Sequence, residues 1–329
     1  MIPISIVTGF LGSGKTTLIR RLLSDPAFGR TAVIVNEFGE IGLDHALVAQ
    51  GDDTAVALTT GCLCCAMQSD LAATLGGLMR QGEYDRVLVE TSGLAEPSSL
   101  MRAVIGDPAV AEHHVLANVV TLIDAVHGSV TLARQPEARR QVALADGLIL
   151  TKTDLVAPSV ALTDAIRGIN PTTPVIDHPP DDVGAVLFAP RHVPASMPQA
   201  APVRHASDLG STLVLRDTPV PALALALWLE ALAEHAGERL LRVKGLACLH
   251  EEPDRPAVIH AVRHSIAEVE WLDQWPGGDR QTRIVVIGEG IPPHFPARLF
   301  AAIEEEVRDA QSESCHREIP PGLRETRRR

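Results

Sequence analysis

The chain has 329 residues, 46% of them hydrophobic and 21% charged, a globular make-up with room for two domains of about 150 residues each. A net charge of -12 and a sequence pI near 5.5 exclude general nucleic-acid binding, which needs a basic surface to neutralise phosphates. No apolar run approaches the roughly 18 residues of a membrane span, and MIPISIVTGF lacks the features of a signal peptide. A reducing cytoplasm is therefore expected, where clustered thiols bind metal or do redox work rather than form structural disulfides.

In chain order, β-branched strand patterns fall at 4 to 8, 32 to 36, 86 to 90, 118 to 124, 147 to 152 and 174 to 177. Helical patterns alternate with them at about 15 to 24, 67 to 80, 98 to 105, 135 to 145 and 159 to 168. This alternation predicts an α/β fold with a mostly parallel sheet flanked by helices over residues 1–177. Residues 178–207, rich in proline and alanine, read as a linker. From 208 to 329, STLVL, ALALALWLEALAEHAG, LLRVKGLACLH, AVIHAVRHS, RIVVIG and PARLFAAIEEEVRD predict a smaller α+β domain. Trp271 and Trp275 there are expected to fill its core, with contact to a partner as the alternative.

GFLGSGKT, residues 9 to 16, fits G-x-x-x-x-G-K-[ST] between a strand and a helix, the context a P-loop requires. Gly9, Gly12, Ser13 and Gly14 would turn backbone N–H groups around phosphates, with Thr17 following in the helix. Lys15 would reach the β- and γ-phosphates and Thr16 would ligate Mg²⁺. In VLVETSGLAEP, Glu90 ends a strand where a nucleotide hydrolase holds Mg²⁺, and the Gly93 N–H can meet the γ-phosphate. TKTD, residues 151 to 154, follows another strand. Asp154 would accept from guanine N1–H and N2–H₂ while the Lys152 stem packs over the base, with Thr151 where a guanine reader has asparagine. Lysine occurs only at Lys15, Lys152 and Lys244, so two of three fall on nucleotide motifs. An ATP-driven kinase on this fold is the competing reading.

GCLCC places three of the five cysteines, Cys62, Cys64 and Cys65, within four positions. Such thiolates suit a tetrahedral Zn²⁺ or Co²⁺ site that needs a fourth ligand. Glu37 and His114 are candidates, with Glu40, His113 or water as alternatives. A C-x-x-C redox pair of Cys62 and Cys65 is the competing reading. Cys248 reads as a core residue and Cys315 as a stray thiol.

GFLGSGKTTL, NEFGE, GCLCC, ETSGLAEP and TKTD, in this order, resemble the CobW/YjiA-type GTPases and, more distantly, the urease and hydrogenase maturation GTPases. LLRVKG and IVVIG resemble that family's C-terminal domain. The resemblance implies GTP hydrolysis coupled to delivery of a transition metal, most often zinc and in one branch cobalt for cobalamin, to a client metalloprotein. It also implies that Asn36 to Glu40 form a nucleotide-sensing switch and that Cys62, Cys64 and Cys65 bind the metal; Glu37 and Glu40 are then the candidates for orienting water or sensing metal. Many members carry a histidine-rich tract near the linker, whereas His178, His192 and His205 are scattered here. A nucleotide-regulated metal or redox sensor is the alternative function, and a homo-oligomer is left open.

Overall fold

A computed structural model of the chain describes residues 1–36, 55–57, 67–81, 84–189, 209–276 and 279–317. The first sheet contains β1 (Ile2–Thr8), β2 (Thr31–Asn36), β3 (Ala55–Ala57), β4 (Arg86–Thr91), β5 (His114–Asp124), β6 (Gly147–Thr151) and β7 (Val175–Ile176). Its order is β3-β2-β4-β1-β5-β6-β7, and every pairing is parallel. The strands read as continuous apolar runs because both faces are covered. Val7, Leu88 and Val120 pack on one face with helices Lys15–Leu23 and Val183–Phe188. Ile6, Val87 and Val119 pack on the other, with helices Met67–Gln81, Ser98–Gly106, Pro136–Leu144 and Val160–Ile169.

The second sheet contains β8 (Leu209–Arg216), β9 (Leu240–Ala247), β10 (Ala257–Val262), β11 (Ser265–Ile266), β12 (Glu270–Trp271) and β13 (Thr282–Glu289). It is antiparallel in the order β11-β10-β9-β13-β8, with β12 on β10. Its strands alternate in burial partner, as a period of two requires. Val285 and Ile287 join the core of the first domain, while Ile284 and Val286 join Trp228 and Phe300 against helices Ala222–Ala236 and Phe295–Arg317. The two domains thus share a helical layer between their sheets.

Two expectations change. Residues 183 to 188, predicted as linker, form a helix with Leu187 fully buried and Asp182 capping the Ala185 N–H at 2.8 Å. Trp271 and Trp275 do not fill the core: Trp271 is exposed beneath Arg255, and Trp275 donates to the Pro253 carbonyl at a surface site. The core tryptophan is Trp228, whose Nε1–H donates to the Pro296 carbonyl at 2.9 Å. Cys248 is buried as expected, and burial pushes its thiol pKa up.

Candidate functional site

All strands of the first sheet point their C-terminal ends at one edge, where open α/β sheets build their sites. β1 ends at Thr8 and the following helix starts at Lys15, so GFLGSG makes the whole turn. Gly9, Gly12 and Gly14 have φ of 141°, 73° and 93°, a region that side chains resist. At Gly9 a Cβ would also lie 2.4 Å from the Leu122 carbonyl oxygen. Lys15 is buried, and its Nζ donates to the Gly9 and Phe10 carbonyls at 2.8 and 3.3 Å. The hydroxyls of Ser13 and Ser92 are buried with no hydrogen-bond partner among the described residues. A glycine turn with an adjacent ammonium, orphaned hydroxyls and a helix N-terminus can accept anionic oxygens.

β4 lies beside β1 with Glu90 opposite Val7. The Thr16 hydroxyl donates to Glu90 Oε1 at 2.8 Å, so the two oxygens proposed for Mg²⁺ are adjacent. Gly93 rests on the glycine turn: a Cβ there would meet Leu11 backbone N at 2.7 Å. Only glycine allows this approach without displacement of one loop.

Beyond β6, Lys152 holds a positive φ of 58°, unusual for a residue with a side chain. Its Nζ donates to Asp124 Oδ2 at 2.5 Å, and Asp124 Oδ1 accepts from Val126 and His127 N–H. Burial raises the pKa of the Asp124 carboxyl, but the Lys152 hydrogen bond and charge and the two N–H groups outweigh it and hold the carboxyl below its ordinary value. Asp154 is exposed at this edge. Asp124 was not anticipated from sequence, although it ends the predicted strand 118 to 124. A cavity of about 290 Å³ lies between the glycine turn, the end of β5 and the helices that follow, with Asp124, Lys152 and Gln141 among its lining.

Thr151 ends β6 beside the glycine turn. Its hydroxyl donates to the Ser13 carbonyl at 2.8 Å, tying β6 to the glycine turn. Thr151→Val is expected to weaken nucleotide affinity roughly five- to tenfold through loss of one buried hydrogen bond, and Thr151→Asn to retain it. Titration with a fluorescent GDP analogue checks both.

Glu37, Glu40, Cys62, Cys64 and Cys65 lie outside the described residues, and only the backbone of Asn36 is described. Asn36 pairs with Thr91, next to Glu90. β3 is parallel to β2, so the chain also leaves β3 at the nucleotide edge before re-entering helix Met67–Gln81. His114 sits elsewhere. It begins β5 opposite Ile2, roughly 30 Å of strand from Asp124. Its Nδ1–H donates to Val110 carbonyl and Nε2 accepts from the Tyr84 hydroxyl at 3.0 Å. Burial lowers the imidazole pKa and raises that of the tyrosine. Its expected ligand role is thus corrected to a core histidine, because both nitrogens are engaged at the opposite edge.

The model of the CobW/HypB/UreG nucleotide-binding domain matches residues 3–177, and that of the cobalamin synthesis protein cobW C-terminal domain matches residues 209–305. The chain is 29% identical to zinc chaperone YjiA of Escherichia coli, over 92% of this chain and 99% of the relative. It is 30% identical to zinc chaperone CobW of a Sinorhizobium species, over 87% and 92%. The crystal structure of Zn(II)-bound YjiA GTPase from E. coli superposes with a TM-score of 0.69 at 25% identity, covering 92% of this chain and 98% of that one. The chain therefore belongs to the CobW/HypB/UreG family of P-loop GTPases, with the cobW C-terminal domain attached.

Proposed function

We propose that this protein is a GTP-hydrolysing metallochaperone that carries a transition metal, zinc first and cobalt as the alternative, to a client metalloprotein in the cytoplasm. The observation that carries the reading is the backbone path. β2 and β3, the strands that precede Glu37, Glu40 and the three cysteines in the chain, end at the same edge as Lys15, Thr16 and Glu90. A metal held there by Cys62, Cys64, Cys65 and Glu37 would feel movement at the γ-phosphate. Further support comes from the names of the relatives, both described as zinc chaperones.

In this reading Lys15 leaves its loop carbonyls for the β- and γ-phosphates, and the orphaned Ser13 and Ser92 hydroxyls gain oxygen partners. Gly9, Gly12, Gly14, Thr16 and Thr17 complete the cradle. Thr16 and Glu90 would hold Mg²⁺, whose charge neutralises the phosphates. Gly93 N–H meets the γ-phosphate, Lys152 lies along the base and Asp154 reads guanine. Glu37 and Glu40 orient water or sense metal. The exposed Leu11, Leu94, Val126, Val130, Leu155 and Val160 around this edge supply apolar surface for a client. Among the described residues no helix is long and apolar enough to cross a membrane.

The test is a Zn²⁺ titration against a chromogenic chelator, with GTPγS and Mg²⁺ and then with GDP. Zinc affinity is expected to differ by about 5- to 150-fold between the nucleotides, and the difference should vanish in Cys62/Cys64/Cys65→Ser. Equal affinities would leave a GTPase with an uncoupled thiol site. Zinc affinity unaffected by the serines would remove the thiols from the site.

A further inference from the structure

Arg140 and Gln141 are adjacent on helix Pro136–Leu144 and therefore point in different directions. Gln141 is fully buried, and its Nε2 donates to the carbonyls of Gly93 at 3.1 Å and Ala95 at 2.9 Å. Arg140 turns to the second domain, with Nε and Nη2 on the two oxygens of Glu289 at 2.7 and 3.1 Å. Its Nη1 lies 3.6 Å from Glu96 Oε2.

Glu96 belongs to the same short segment as Gly93, and it is gripped from the second domain. Arg263 Nη2 donates to Glu96 Oε1 at 2.7 Å, and its Nε reaches the Ser98 hydroxyl at 3.4 Å. Ser98 itself donates to Glu96 Oε1 at 2.5 Å. Arg263 Nη1 is in turn held by the carbonyl of Glu238, at 2.7 Å, and by the Glu238 carboxylate. Arg263 occupies the turn between β10 and β11 with φ of 53°, and it is one of two non-glycine residues in that region among those described. A buried arginine at such a backbone angle is a feature the surrounding contacts must over-determine. Those contacts are with Glu96, Ser98 and Glu238. The segment from Gly93 to Pro97 is thus held by Leu11 of the glycine turn, Gln141 of the shared helical layer and Arg263 of the C-terminal domain.

We propose that Gln141 and Arg263 are positioning residues for GTP hydrolysis. They fix the Gly93–Pro97 segment, and Arg263 does so from the other domain, so that triphosphate recognition requires the C-terminal domain to be docked. This rests on the reading of Gly93 as a γ-phosphate contact. By reciprocity, a γ-phosphate that moves Gly93 changes the grip of Arg263 on Glu96 and so reports nucleotide state to the second domain.

The experiment uses the full chain, native and as Arg263→Gln, Arg263→Lys and Glu96→Gln. Affinities for fluorescent GTPγS and GDP analogues are measured, with steady-state hydrolysis and hydrogen exchange of the 92 to 96 amides in each nucleotide. In the native protein GTPγS is expected to protect those amides relative to GDP. Arg263→Gln is expected to lose that protection, weaken GTPγS and lower kcat by about tenfold each, and leave GDP affinity within about twofold, since the charged hydrogen bond that holds Glu96 is removed. Arg263→Lys, which keeps the charge, should recover part of the loss. Glu96→Gln leaves Arg263 its Glu238 partners within the C-terminal domain and so breaks the same link from the first domain; it must give the same triphosphate-selective loss.

Native protection that persists in Arg263→Gln and Glu96→Gln, with unchanged GTPγS affinity, overturns the positioning role and leaves the Gly93 assignment standing. Absence of protection in the native protein overturns the Gly93 assignment itself. Equal weakening of both nucleotides in both variants marks the contact as merely structural and overturns the proposal. If Arg263→Gln does not fold, the outcome is read from Glu96→Gln and Arg263→Lys alone.

Discussion

Asp154→Asn is expected to lower GTP affinity and kcat/KM by about 10²- to 10⁴-fold and to raise the use of XTP. The physical reason is donor and acceptor matching. Guanine presents two donors, N1–H and the 2-amino group, to a carboxylate that only accepts. Two charge-assisted hydrogen bonds contribute about 1.5–3 kcal/mol each. An asparagine offers one acceptor and one donor, which complements xanthine, whose 2-position is a carbonyl. Asp154 stands exposed at the turn after β6, where the Lys152 backbone angle and the Lys152–Asp124 pair shape the chain. Steady-state hydrolysis of GTP, XTP and ATP by the native and variant proteins checks the expectation. Unchanged selectivity in Asp154→Asn would remove this residue from base recognition and reopen the ATP reading.

Asp146→Asn is expected to destabilise the protein by about 3–5 kcal/mol, the cost of stranding buried charge after one partner is removed. Asp146 is buried at the foot of β6 between Arg242, itself buried, and Lys244 at 2.7 Å. The Val119 N–H adds a third donor at 3.0 Å, and Arg242 also reaches the Leu144 carbonyl. Burial alone would raise the carboxyl pKa, but Arg242, Lys244 and His260 together hold it far below the ordinary value. A carboxylate with a depressed folded pKa contributes stability that is fully present above its unfolded pKa, about 4, and is lost as pH falls toward the folded value. Urea denaturation at pH 7 should therefore give a lower midpoint for Asp146→Asn. The gap from native should narrow at pH 3, where the unfolded native chain takes up the proton. A native-like midpoint at pH 7 would show that the cluster contributes nothing net. The same change should loosen the domain interface, because Arg242 and Lys244 are on β9 and Asp146 is in the first domain.

The parallel sheet was legible because its strands are apolar on both faces and the residues between them carry helical periodicity. The observed bounds of β4 and β6 lie close to the predicted 86 to 90 and 147 to 152, whereas β5 ends at 124 as predicted but begins four residues before 118, at His114. The glycine turn was legible because its chemistry is contiguous: φ values above zero at Gly9, Gly12 and Gly14 are what glycine alone adopts freely. The helix Val183–Phe188 was not, since six residues, VGAVLF, are too few for a period to emerge. Its conformation depends on Leu187, whose carbonyl accepts from Ser5 at 2.6 Å and Asn118 at 3.0 Å.

Family, fold class and the glycine turn were therefore determined by the sequence alone, because each is a local pattern in which neighbouring residues act together. Only the tertiary structure decided that Thr151 ties β6 to the glycine turn, that His114 pairs with Tyr84 in the core, and that Asp124 holds Lys152. It alone joined Glu96 to Arg263 and Asp146 to Arg242. Those partners lie about 30 to 170 residues apart in the chain. A side chain whose partner is that distant leaves no periodic trace in its own neighbourhood, and the contact exists only once the elements that carry the two residues have packed.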